Sequence, residues 1–172
     1  MNPVRWLLVG AAVVVALALQ VSFFPHLAVA GVVPDLVLLV VVAFALARGS
    51  REAMLLGFVA GLLLDLAPPA DHSVGRWALS LVLVAAVAGR VRTDERVSLP
   101  VVLGTVAAAS FVGTSTFALS GLLVGEIALE VPRLLAVVGI ALVWDLLVGL
   151  VTVRPLARAL SRDTAPARVA PR

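Results

Sequence analysis

Residues 36–65 read LVLLVVVAFALARGSREAMLLGFVAGLLLD, two uncharged runs of 12 residues, Leu36–Ala47 and Ala53–Leu64, on either side of Arg48-Gly49-Ser50-Arg51-Glu52. Runs this short suit a re-entrant hairpin as well as a pair of membrane spans. The arginines decide between the two. A hairpin entering from the outer side carries Arg48 and Arg51 into hydrocarbon, at about 2.5–3.5 kcal/mol each on insertion scales. Two true spans leave the arginine turn at one surface and place Asp35 and Asp65 near the other. Each helix then has about 16–18 residues, enough for a locally thinned bilayer.

Further apolar segments extend the pattern outward. The sequence predicts helices over residues 6–24, 32–47, 53–67, 74–91, 99–124 and 132–153, a single all-α membrane domain covering residues 1–160, and a disordered cytoplasmic tail over 161–172. The apolar run after Arg5 continues to Phe24 without a clear cleavage site, so it is read as a retained helix and not as a signal peptide. With Arg5 inside, the inner loops and tail hold 11 of the 13 arginines, and only Arg76 and Arg133 fall outside. That bias, repeated loop by loop, orients a six-transmembrane-helix bundle with both termini in the cytoplasm.

Composition excludes much else. The chain is 62% hydrophobic and 13% charged, with a mean hydropathy of +1.16, where soluble domains carry about 25% charged residues. It has no Cys, which removes disulfides, thiolate zinc sites and cysteine nucleophiles. The net charge of +3 sits in short loops and the tail, where it serves topology and not nucleic acid. No phosphate-binding loop, dinucleotide fingerprint, nucleophile elbow or His-Glu-x-x-His occurs. His26 and His72 fall in outer loops and Asp145 is the single deep acid, so no enzyme activity, metal or cofactor is expected.

Three groups of residues stand out. Gly57, Gly61 and Asp65 recur every four positions and share one helix face; small residues so spaced let another backbone approach closely, inside the bundle or on a partner helix. Asp35 follows Pro34 at a helix start, where it can cap free N–H groups, or share an outer-end polar site with Asp65. Asp145 lies 13 residues beyond Pro132, roughly 20 Å into a hydrocarbon core of about 30 Å. An acid there faces the bundle interior, as glue to Ser110, Thr114, Ser115 or Thr116 or as a proton or ion relay. Gly121 and Gly125 repeat the four-residue spacing and read as close packing.

Pro34-Asp35-Leu36, the Arg48–Arg51 turn and Gly57-x-x-x-Gly61-Leu-Leu-Leu-Asp65-Leu66 together resemble the rod shape-determining protein MreD family. The resemblance implies a noncatalytic scaffold of the cell-wall elongation machinery in the bacterial plasma membrane. Its implied partners are a bitopic MreC-like protein and, directly or through others, a SEDS-type glycan polymerase, a class B penicillin-binding protein and the MreB filament. It also implies a fold similar to the substrate-binding subunits of energy-coupling-factor transporters, which makes a vitamin-type uptake subunit the alternative. The absence of Tyr and the single outer-side Trp77 weigh against such a pocket.

Overall fold

A computed structural model of the chain describes residues 3–68, 72–91, 98–126 and 130–161, the Val4 side chain excepted. These residues form six helices: α1 (Pro3–Ser22), α2 (Leu36–Arg48), α3 (Ser50–Leu66), α4 (Arg76–Arg90), α5 (Leu99–Val124) and α6 (Val131–Ser161). A 3-10 turn at Phe24–Leu27 follows α1. Beyond it, Val29 and Val32 pair as an isolated antiparallel bridge around Ala30 and Gly31, both at positive φ (50° and 79°). Three helices, α1, α5 and α6, are long and apolar enough to cross a membrane.

α2 is the centre of the bundle. Every residue from Leu36 to Ala47 is buried, and the helix touches each of the other five. An all-round apolar sequence dictates this placement, because no face of it prefers water. With 13 residues it is about 20 Å long, well short of a hydrocarbon core. The expected start at residue 32 is therefore corrected to Leu36: Pro34 and the Asp35 N-cap fix it there. α1 lays Val9, Val13, Ala16 and Gln20 on this core and leaves Leu7, Leu8, Val14 and Val15 exposed.

The remaining helices close around α2, each running antiparallel to the one before it, so that α4 and α6 lie parallel to α2. Gly57 lies against Leu81, Gly61 against Ala78, and Gly89 against Ser50, a constant register that brings α3 and α4 into the most intimate packing in the molecule. Likewise Gly113 meets Val84 between α5 and α4, and Gly149 meets Val106 between α6 and α5. The α2–α3 turn and the end of α4 thus share one end of the bundle. Arg5 Nη1 donates to Leu160 O (3.2 Å), which joins the start of α1 to the end of α6.

α6 runs past the expected end at residue 153 to Ser161, through Pro155. Proline costs a helix one hydrogen bond and strains the preceding turn. Here Pro155 faces outward while Val153, Ala157 and Leu160 stay buried, and that packing carries the helix on. Residues 162–172 of the expected tail, with Arg162, Arg168 and Arg172, lie outside the described residues, as do Asp71, Arg92 and Arg96.

Candidate functional site

The first N–H groups of a helix have no intrahelical partner, and an apolar bundle offers no water to replace one. At the start of α2, side chains from three helices fill this need. Asp35 Oδ1 accepts from Leu38 N–H (2.9 Å), Gln20 Oε1 of α1 accepts from Val37 N–H (3.2 Å), and Asp145 Oδ1 of α6 accepts from the N–H of Asp35 itself (2.8 Å). Asp145 is 1% exposed, and Asp35 and Gln20 are buried with it. The positive end of the α2 dipole points at these acids and favours negative charge there. Ser110 of α5, fully buried, turns its hydroxyl toward the Asp145 carboxyl.

This grouping departs from the sequence-based expectation in two ways. Asp35 pairs with Asp145 across 110 positions and not with Asp65. Asp145 is also not the only deep acid, because the short α2 begins level with it, 14 residues into α6, about 21 Å along that helix.

Asp65 does the equivalent work for α4. It is completely buried, with Oδ2 accepting from Gly75 N–H (2.8 Å) and Ala78 N–H (3.2 Å) and Oδ1 from Trp77 N–H (3.0 Å). His72 Nδ1 stands 3.8 Å from Oδ1. Gly57 and Gly61 lie on the same face. A Cβ on Gly57 would sit 2.6 Å from Leu81 O, and one on Gly61 2.6 Å from Trp77 O. α4 fills the small-residue groove completely, so this face has no room for the backbone of a partner helix.

Arg76 and Glu126 form a third cluster, which the sequence reading passed over. Arg76 is 6% exposed. Its guanidinium pairs with Glu126 through Nη1, donates to Phe117 O (2.7 Å) and Ser120 Oγ (3.3 Å), and lies 3.9 Å over the Phe117 ring. Gly121 makes room for it: a Cβ there would stand 2.6 Å from Arg76 Cζ. The expected helix-packing role of Gly121 is thus corrected to housing a guanidinium. Two signals were available in the sequence, an arginine on the side that arginines avoid and a glutamate in the facing loop.

Ser73 donates to Glu126 through both its N–H and its hydroxyl. These bonds, with the Arg76 charge, hold the Glu126 carboxyl below the ordinary glutamate range. Its contribution is present above the unfolded-state pKa and is lost as pH falls through the lowered folded value. Trp77 stacks on Phe117 at 4.4 Å, within this cluster. In a variant with Trp77 as sole tryptophan, its fluorescence is expected to titrate in acid with a midpoint below that of a free glutamate. Glu126→Gln should abolish the transition.

An apolar groove of about 520 Å³ runs along the outward face of α6, lined by Val29, Gly139, Ile140, Val143, Trp144 and Leu147 among others. Among the described residues no group of three or more His, Cys, Asp or Glu is placed to hold a metal ion. His26, on the 3-10 turn, is exposed. The profile of one protein family, described as MreD, rod shape-determining protein MreD, matches residues 2–151. No curated protein and no solved structure matches the chain.

Proposed function

The chain belongs to the rod shape-determining protein MreD family, and on that premise we propose that it is a noncatalytic, multi-pass scaffold of the cell-wall elongation machinery in the bacterial plasma membrane. The family match, covering most of the chain, carries this reading. In it all six helices pass through the bilayer with both termini inside, α2 being completed at its outer end by the connector from Phe23 to Pro34. The work of the protein is then to hold partners through its outward surfaces.

What the polar groups are engaged in supports the scaffold reading over the uptake-subunit alternative. Asp65, Asp35, Gln20 and Asp145 direct their hydrogen bonds to helix starts, while the groove on α6 is apolar, the indole nitrogen of Trp144 being buried. A vitamin-type pocket needs several polar groups converging on its ligand. Exposed apolar side chains lie on α1, α3, α4, α5 and α6, and of these faces we assign the groove on α6 to an MreC-like bitopic partner. A glycan polymerase, a penicillin-binding protein and the MreB filament would join through that partner or beside it.

Depletion in the native host, followed with fluorescent D-amino-acid labelling, tests this. Rounded cells with delocalised wall synthesis are expected; unchanged shape with a new nutrient requirement would move the reading to an uptake subunit. Gly139→Leu narrows the test to the α6 surface. A Cβ at Gly139 meets nothing within 4 Å, so the variant should fold normally and yet recover less MreC-like protein in a pull-down.

A further inference from the structure

Two carboxyl groups buried at one helix start inside an apolar bundle do not both ionise without a counter-charge, because each charge is costly there and they repel. Neither Asp35 nor Asp145 is in an ion pair among the described residues. The groups facing them are Gln20 from α1 and Ser110 from α5, both uncharged. The α2 dipole supplies about half a unit of positive charge, enough to favour one anion and not two.

The hydrogen bonding is correspondingly incomplete. Each carboxyl commits Oδ1 to a backbone N–H of α2, and each leaves Oδ2 buried without a partner. The Ser110 hydroxyl, turned toward Asp145 and fully buried, is also without one. Of these three oxygens only that of Ser110 carries a proton to donate, and one O–H cannot serve both carboxyl oxygens left over at the start of α2.

We propose that Asp35 and Asp145 form a proton-binding site, holding one proton between them at neutral pH and closed over by Ser110. The proton converts one Oδ2 from an orphan acceptor into a donor and brings the pair to a single negative charge, which the start of α2 stabilises. Protonation requires no change in the two Oδ1 contacts, so the cap on α2 is kept. A monovalent cation would also lower the charge, but it needs more oxygens than the three that lack partners here.

The test uses the full-length protein in lipid nanodiscs and infrared spectroscopy. At neutral pH a protonated-carboxyl C=O band is expected, shifted in D₂O and insensitive to replacing potassium by sodium. Asp145→Asn should remove the band and Glu126→Gln should leave it. Absence of the band from the wild type at neutral pH, or its loss on adding sodium, would overturn the proposal. The same holds if Asp145→Asn retains it. Folding takes up the proton, so above the acid range in which Glu126 titrates the melting temperature of the wild type should fall as pH rises. Asp145→Asn, which mimics the protonated acid, should flatten that dependence. If the variant does not fold, the wild-type band titrated against pH decides: it must bleach as pH rises.

Discussion

Gly61→Leu is expected to prevent α3 from pairing with α4, leaving a chain that inserts but does not run as a single species after detergent extraction. The backbone of Trp77 and Ala78 lies directly over Gly61, with Trp77 O 2.6 Å from where a Cβ would sit. Backbone cannot rotate away as a side chain can, so the two helices must separate. Overpacking a tight core costs about 1–3 kcal/mol when side chains can adjust, and more when they cannot. Separation also pulls Gly75, Trp77 and Ala78 off the Asp65 carboxyl. Gly104→Leu is the control, since nothing lies within 4 Å of its Cβ position. Size-exclusion profiles of the two variants check the prediction, and a monodisperse, wild-type-like profile for Gly61→Leu would refute it.

Asp65→Ala is expected to lower stability by about 3 kcal/mol, because it strips acceptors from three N–H groups, one buried and two partly buried, where a donor left unpaired in the interior costs about 1–3 kcal/mol. The loss falls at the start of α4, where the Gly75 N-cap contributes no side-chain cap of its own. Asp65→Asn should cost less, since one amide oxygen still accepts. It cannot match the wild type, which uses both carboxyl oxygens. Thermal unfolding in one detergent should therefore rank wild type above Asn and Asn above Ala. Equal melting temperatures for Ala and wild type would show that the α4 start is capped in some other way.

Both predictions concern residues that the sequence identified by spacing while leaving their partner open. Gly57, Gly61 and Asp65 were legible as one face because helical periodicity is a local property. Whether that face meets a helix of the same chain or of another protein is not local, and α4 occupies it through the short Leu66-to-Arg76 connection. Asp145 was legible as an anomaly for a similar reason, one acid in a long apolar run, and its partners were named from the nearest polar cluster, the Ser110 region of α5. Ser110 does face it, but the hydrogen bond goes to the backbone of Asp35.

The sequence by itself determined that the chain is a helical membrane protein, with its breaks near Pro34, the Arg48–Arg51 turn and the outer loops, and its resemblance to a family. Hydropathy and charge suffice for this because the bilayer acts on each segment separately, favouring apolar runs and holding arginines at its surfaces. Only the tertiary structure decided that α2 is a short, wholly buried axis, that its start lies level with Asp145, and that Arg76 is housed over Gly121. Those outcomes depend on how far each helix reaches along its neighbours. Buried N–H and C=O groups must find partners wherever the helix ends come to rest, and only packing sets those positions.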